Sequence, residues 1–391
     1  MMIKFEEALK IAEAYSIKTG SENVPFMDSP GRVLAEDIRS DINMPPFNKA
    51  AVDGFACRRE DIEKELLINE VIPAGTVAKK VVGEGECAKI MTGAAVPGGA
   101  DFVFMVEDAV ETGNRVRYTG SSRKDNIARK AEDISIGDIV LKKGRIIRPQ
   151  DIAVMATVGA TEPLVSKRIR LGVISTGDEL VEPGDMPGEG QIRNSNAYQL
   201  VAQSIRAGAE ALYFGIAPDN EEQTFNMVAG ALDNCDILLL TGGVSMGDFD
   251  FVPRVLANCG VKILFDRVAV QPGKPTTFGT RNSSLVFGLP GNPVSSFVQF
   301  ELFVRPLVLR SMGSDWRPDT RKLALASAYK RKRGERLAFV PVRVDDNEMV
   351  EVLNYHGSAH INALPDATGL MMVPLGITEI GKGEKVDVRS I

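Results

Sequence analysis

Three short segments of the chain concentrate glycine, hydroxyl and carboxylate groups. Ser175-Thr176-Gly177-Asp178-Glu179-Leu180 sets two hydroxyls, a glycine that allows close backbone approach, and two adjacent carboxylates side by side. Thr241-Gly242-Gly243-Val244-Ser245-Met246-Gly247-Asp248-Phe249-Asp250 has glycines that let backbone amides turn toward a phosphate, while Asp248 and Asp250 offer oxygen ligands to a hard cation. Leu289-Pro290-Gly291-Asn292-Pro293-Val294-Ser295-Ser296 reads as a helix start, with Asn292 at the N-cap and Pro293 at the first helical position, so free N–H groups point forward to an anion. Gln271-Pro272-Gly273-Lys274-Pro275 adds a cation. Carboxylates beside an anion site imply a bridging metal, and Mg2+ suits such a mixture of carboxylate and phosphate oxygens. Each loop also has a plain structural reading, since Gly-Gly after a strand is often a turn and Gly-Asn-Pro a helix start.

What favours chemistry is the set of elements that must carry these loops. Over residues 168–312, apolar runs alternate with helical patterns. Strands are predicted at Arg170–Ser175, Ala211–Ile216, Cys235–Leu240, Val261–Phe265 and Leu285–Phe287, and helices at Asn196–Ala207, Glu221–Ala231, Phe251–Ala257 and Val294–Leu309. Continuous apolar strands interleaved with helices predict a doubly wound α/β domain, its parallel sheet covered on both faces. Ligands bind such sheets outside the carboxyl ends of the strands, where all three loops should converge with Lys274 beside them. The chain has neither G-x-x-x-x-G-K-[ST] nor G-x-G-x-x-G behind a strand, which disfavours a P-loop NTPase and an NAD-dependent dehydrogenase.

The remainder is built differently. Phe5, Ala8, Leu9, Ile11, Ala12 and Tyr15 define an amphipathic helix over residues 3–16. Short apolar runs such as Leu66–Ile72 and Val103–Val106, punctuated by glycine turns, predict a small all-β unit over 45–136. Residues 137–166, with Ile139-Val140-Leu141 and a helix at Gln150–Val158, are expected to pack with the N-terminal helix, making the β unit an insertion. Beyond Gly313–Pro318 the alternation in Phe339–Val344 and Lys385–Val388 predicts a C-terminal β domain. The expected plan is therefore multidomain α/β plus β: an N-terminal extended domain (1–44 with 137–167), an inserted β domain (45–136), the α/β domain (168–314) and a C-terminal β domain (315–391). The basic run Lys330-Arg331-Lys332-Arg333 reads as a solvated turn rather than a polyanion site.

Composition limits the partners. The length of 391 residues predicts two to four domains, and 25% charged against 44% hydrophobic residues is the balance of a globular protein. Lys+Arg 46 against Asp+Glu 52 leaves −6, so there is no basic surplus for nucleic-acid phosphates. No window approaches the roughly 18 consecutive apolar residues of a membrane helix. The early carboxylates Glu6 and Glu7 are unlike a signal peptide, so a cytoplasmic, membrane-free protein is expected. Cys57, Cys87, Cys235 and Cys259 form no C-x-x-C pair and read as buried thiols. His356 and His360 are four apart, but the intervening Gly357 and Ser358 favour a loop over a zinc-binding helix.

The ordered set STGDEL (175–180), GQIRNSN (190–196), TGGVSMGDFD (241–250), PGKP (272–275) and LPGNPVS (289–295) resembles the molybdopterin molybdenumtransferase family, which comprises bacterial MoeA and the E domain of gephyrin. Residues 45–56 are similar to that family's P-x-F-x-x-S-A-M-D-G-Y-A segment, and residues 90–97 and Glu132-Asp133-Ile134 also match. The resemblance covers essentially the whole chain. It implies an L-shaped, four-domain subunit that forms a homodimer and inserts molybdate into adenylylated molybdopterin with Mg2+, releasing AMP and molybdenum cofactor. A molybdopterin adenylyltransferase and acceptor molybdoenzymes are further partners it implies. By motif position, Glu179 and Asp250 would contact Mg2+ and Asp219 would be another acidic site residue. Lys274, Ser295 and Ser358 would line a molybdate pocket between the α/β and C-terminal domains. Asp53, Thr92 and Asp133 of one subunit would face the crevice of the other. Thr176, Gly177, Asp178, Gly242, Gly243, Ser245, Gly247, Pro275, Pro290, Gly291, Asn292 and Pro293 would line the substrate.

The chain departs from the family pattern at several places. Gln271 stands where many members have lysine, and the family's C-terminal arginine falls at Pro341, leaving open whether Arg343 substitutes. Ala50 and Val52 replace serine and methionine as packing changes, and His360 could join the anion pocket or simply pack its loop. Three other functions are compatible with the fold: adenylylation of molybdopterin, which the extra domains argue against; a non-catalytic molybdopterin-binding scaffold, for which the acidic site residues would be unnecessary; and insertion of tungstate, whose size and charge nearly equal those of molybdate.

Overall fold

The computed structural model describes residues 2–243, 252–353 and 357–391. Arg170–Thr176, Ile237–Thr241 and Ser284–Leu289 are almost entirely buried and lie side by side, parallel, with Glu210–Ala217 outside the first of them. Their apolar residues alternate between two cores: Leu171, Val173, Ile237 and Leu239 pack with the helix Ser195–Arg206, while Ile174, Leu238 and Leu240 pack with the helices Glu221–Asn234 and Val252–Asn258. A strand buried on both faces requires this period of two and reads as a continuous apolar run.

The sheet is not parallel throughout, however. Thr277–Arg281 runs antiparallel to Ser284–Leu289, and Lys262–Phe265 runs antiparallel to it at the edge. Asn282 and Ser283 join the first pair, with Asn282 in the left-handed region at φ 52° that asparagine tolerates. So short a connection can close only an antiparallel hairpin, whereas parallel neighbours need a crossover of a dozen residues or more.

The helix expected at Val294–Leu309 is interrupted. Pro293–Gln299 and Arg305–Ser311 are α-helical, and Phe300–Val304 between them is a π turn. Within that turn Glu301, 1% exposed, accepts from Gln203 Nε2 at 2.7 Å, Arg206 Nη2 at 2.5 Å and Arg305 Nη1 at 3.0 Å. Arg389, near the end of the chain, donates to the Glu301 carbonyl.

The amphipathic helix forms at Phe5–Ala14, but its partner is not the one expected. Ala8 and Ala12 are buried in the α/β core, and the Phe5 ring meets Phe303 and Phe339 edge-on, with centroids 5.6 and 5.4 Å apart. The helix Pro149–Thr157 packs elsewhere, with Met155 against Leu34, Leu141 and Val165. The chain leaves and returns along the strand pairs Ser21–Asn23 with Leu164–Ser166 and Ile38–Arg39 with Ile139–Leu141. Between them stands a six-stranded sheet ordered Phe102–Met105, Gly54–Cys57, Glu86–Ile90, Glu65–Ile72, Arg115–Tyr118 and Ala109–Thr112.

At the C-terminal end Leu337–Val344, Met349–Val352, Thr320–Leu325, Lys385–Ser390 and Gly369–Val373 close into a five-stranded barrel, because Gly369–Val373 pairs back onto Leu337–Val344. Closure removes free edges. Val270–Gln271 pairs parallel with Leu337-Ala338, outside the ring. The four cysteines are buried, and burial pushes the thiols of Cys57, Cys87 and Cys235 up to about 12, which leaves them inert as nucleophiles. Among the described residues no helix is long and apolar enough to cross a membrane.

Candidate active site

The strand Arg170–Thr176 delivers Thr176 to the carboxyl edge of the sheet, where Ala217 and Thr241 end the neighbouring strands. Gly177 follows at φ 135°, and a Cβ there would stand 2.1 Å from the Glu179 carboxylate, so only glycine lets that side chain fold back across the turn. Glu179 itself is exposed, and its carbonyl accepts from the Ile192 N–H at 2.8 Å. Asp178 and Asp219 lock two loops together: each carboxylate accepts the other's backbone N–H, at 3.4 and 3.0 Å. The crevice therefore has a fixed acidic rim.

Gly242 and Gly243, at φ 94° and 61°, cross beside Thr176, where an added Cβ would lie 2.8 and 2.9 Å from its hydroxyl. Among the described residues that hydroxyl is buried without a hydrogen-bond partner, as is Asn196 Oδ1. Buried polar groups are normally satisfied, so the two mark a place where polar groups of another molecule would be accepted. Asn196 also ties the loops to one another, its Nδ2 donating to Thr241 Oγ1 at 3.1 Å and to the Gly291 carbonyl at 2.6 Å. Asn194 caps the same helix by accepting from the Ala197 N–H. The GQIRNSN segment thus supplies a positioning residue, Asn196, that sequence reading quoted but gave no role.

Past Gly291 the crevice meets a cavity of about 750 Å3 between the α/β sheet and the barrel. Lys274, Pro275, Pro290, Asn292, Ser295 and Ser358 all line it, as does Gln271. The PGKP loop is held from both sides: Val270–Gln271 is stitched to the barrel, and buried Gln299 donates to the Pro272 carbonyl at 2.8 Å. Gly273, at φ 103°, is where a Cβ would strike Gln299 Nε2. The helix start behaves differently from the expectation. Asn292 sits at the N-cap, but its side chain donates to Ser358 Oγ at 2.9 Å instead of capping, and the Val294 N–H is taken by the Ser358 carbonyl at 3.0 Å. Pro293 contributes its carbonyl to Gln199 Nε2.

The basic run expected to be a solvated turn is divided between two jobs. Lys330 and Lys332 line the cavity together with Arg336, whereas Arg331 turns away to the carbonyls of Pro374, Ile377 and Arg336. With Lys274 this makes four cations, and the described lining contains no carboxylate. Lys330 is partly balanced from outside by Glu379 at 2.9 Å. Arg343 does not join them, being paired with Glu351 on the barrel surface, and Pro341 is buried in its strand. His360 does not line the cavity.

The third group of expected residues lies in the inserted sheet. Asp53 Oδ1 accepts from both the Thr92 hydroxyl and the Thr92 N–H at 2.6 Å, and these donors hold its pKa below the usual carboxylate range, the hydroxyl contributing most. The next residue must be glycine, because a Cβ on Gly54 would stand 1.9 Å from the Phe104 carbonyl oxygen. Asp133 is exposed, its N–H bonded to the Met44 carbonyl at 3.0 Å. Among the described residues no hydrogen bond or ion pair joins Asp53, Thr92 or Asp133 to the crevice loops of the same chain. Ser245, Gly247, Asp248, Asp250 and His356 lie outside the described residues.

Comparison with known proteins fits this three-part arrangement. Residues 172–310 match the family model described as probable molybdopterin binding domain, which gives the class of the crevice-bearing module. Residues 3–159 match the MoeA N-terminal region (domain I and II), and residues 322–391 match the MoeA C-terminal region (domain IV). The molybdopterin molybdenumtransferase of Bacillus subtilis strain 168 is 36% identical over 403 residues, spanning 99% of this chain and 93% of its own. That of Staphylococcus epidermidis strain RP62A is 34% identical, spanning 99% and 95%. The molybdopterin biosynthesis moeA protein of Pyrococcus horikoshii OT3 superposes with a TM-score of 0.88 at 31% identity, with each chain covered completely. The chain belongs to the molybdopterin molybdenumtransferase family.

Proposed function

We propose that this enzyme inserts molybdate into adenylylated molybdopterin, using Mg2+, and releases AMP and molybdenum cofactor. The observation that carries the reading is the cavity in which Lys274, Lys330, Lys332 and Arg336 converge with Ser295 and Ser358, without a carboxylate in the described lining. A tetrahedral dianion needs this combination of positive charge and short hydroxyl donors. The adjoining crevice suits the other substrate, since Gly177, Gly242 and Gly243 keep side chains out of the way of a pyrophosphate. The orphaned Thr176 hydroxyl and Asn196 carbonyl oxygen are available to its polar groups. The arrangement supports substrates laid end to end, the nucleotide ester along the sheet edge and the oxyanion beneath the barrel.

The donor set also suits Mg2+. Glu179 presents an exposed carboxylate at the rim, and Mg2+ is commonly held by one or two carboxylates plus substrate phosphates. Glu179 would hold it, with Asp250 as second ligand. When bound, the ion neutralises phosphate charge that the fixed Asp178–Asp219 rim would otherwise repel. Among the described residues, Asp53, whose carboxylate form Thr92 favours, and Asp133 make no bond to the crevice of their own chain, which supports a homodimer in which the insertion of one subunit completes the site of the other.

The test is AMP release from adenylylated molybdopterin with Mg2+, comparing molybdate, tungstate and no oxyanion. Oxyanion-dependent release supports the assignment and reveals which metal is preferred. A folded protein that binds molybdopterin but releases no AMP with either oxyanion would overturn it in favour of a binding role.

A further inference from the structure

A second cavity, of about 500 Å3, opens at the opposite end of the α/β sheet. Part of its wall comes from the starts of the parallel strands, at Arg170, Glu210 and Asp236, whereas the crevice is built on their finishes. Arg170 and Thr176 are the two ends of one seven-residue strand, so the two sites lie about 20 Å apart at ~3.3 Å per residue step. The rest of the wall comes from the segment around Lys18, from Arg32, and from Lys167 and Arg168 in the link that enters the sheet.

The charges in this cavity do not cancel. Arg32 is paired with Glu22 at 2.5 Å and Arg170 with Asp236 at 3.2 Å. That leaves Lys18, Lys167 and Arg168 facing the single carboxylate of Glu210. Arg168 is anchored by one N–H to the Gly208 carbonyl at 3.0 Å. Although much of its side chain meets solvent, partial desolvation, with the neighbouring Arg32 adding to it, lowers its pKa. Ile17 is the one large apolar side chain in the lining and no aromatic ring is present, so nothing there would stack a nucleobase.

We propose that this cavity binds a compact, multiply charged phosphate anion, bridging the N-terminal segment to the base of the α/β sheet. Lys18 and Lys167 reach it from different stretches of chain, and Arg168 adds a guanidinium with free N–H groups suited to phosphate oxygens. The site is independent of the reaction at the other end of the sheet.

Inorganic pyrophosphate, titrated calorimetrically into the full chain, is the probe. Because the crevice is itself built for anions, the titration is repeated with Lys18→Met/Lys167→Met and, separately, with Lys274→Met. The proposal expects a saturable site that the double variant weakens about tenfold or more, consistent with loss of charge-assisted bonds. It also expects that site to survive Lys274→Met, and AMP release by the double variant to stay unchanged. Lys167→Arg, which keeps the charge, should retain binding and serves as the control for folding. Absence of a saturable site, or a site lost with Lys274→Met and untouched by the double variant, would overturn the proposal.

Discussion

Asn292 of the α/β sheet's third loop donates its side-chain amide to the hydroxyl of Ser358, which lies 66 residues further along at 2.9 Å. A helix start that would ordinarily cap itself is instead held by the connection between the barrel strands Met349–Val352 and Gly369–Val373. The contact joins two parts of the wall of the cavity that Lys274 also lines.

Ser358→Ala removes the acceptor. A hydrogen bond of this kind contributes about 1 kcal/mol, so the molybdate KM for AMP release should rise about fivefold. The melting temperature should be almost unchanged, because the group is partly open to solvent. A steady-state titration of molybdate at saturating adenylylated molybdopterin measures the change, and an unaltered KM would remove Ser358 from the pocket.

Two neighbouring basic residues should behave oppositely. Lys332 lines the cavity and Arg333 does not, so Lys332→Glu should raise the molybdate KM by about tenfold or more, through lost attraction and added repulsion. Arg333→Glu should leave it nearly unaltered, which controls for the change in net charge. Equal effects from both would mean that the run acts as a diffuse field.

Asp53 gives a pH prediction. Its folded-state pKa is lowered by Thr92, so the associated stabilisation is present above the unfolded-state value, roughly 4, and is lost as pH falls through the folded value. Thr92→Val removes the hydroxyl donor, the larger of the two causes, and should return the Asp53 pKa toward the ordinary value. Carbon-detected NMR of the carboxyl follows this directly, and the acidic limb of the activity profile should move to higher pH with it. A limb that stays in place would separate Asp53 from the rate-limiting chemistry.

Gly54→Ala should damage the inserted sheet. The new Cβ would meet a backbone carbonyl at 1.9 Å in a strand paired on both sides, so no side chain can move to relieve it. The cost should be about 3 kcal/mol or more. Limited proteolysis should then cut within residues 45–136 while the α/β module survives; simultaneous loss of both would show that the modules unfold as one.

The central strands were legible because RLGVIS and CDILLL are buried on both faces and have to be apolar throughout. Thr277–Arg281 was not, since TFGTR lies nearer the sheet edge and its threonines and arginine interrupt the apolar pattern. Periodicity likewise found the apolar face of Phe5–Ala14 but could not name what covers it, and it passed over the π turn at Phe300–Val304, whose residues are all buried regardless of phase. In the site, Lys274, Ser295 and Ser358 were reached through their motifs. Lys330 and Lys332 were hidden in a run whose charge looked uniform, and Arg336 lay just beyond it. A period of two was the available signal, since Tyr329-Lys330 is a strand and Arg331 points the other way, to backbone carbonyls.

Val270–Gln271 pairs with the first two residues of the barrel's longest strand, a stretch that Met349–Val352, paired only at Val342–Val344, leaves uncovered. That pairing makes the barrel a template for the loop carrying Lys274, because the register Val270↔Leu337 and Gln271↔Ala338 fixes where the following residues can go. The C-terminal module is consequently no detachable accessory. A chain cut before it would keep the whole sheet and its crevice yet lose the ruler that places the lysine, so swapping in a foreign barrel would demand a match at two backbone positions as well as a compatible surface.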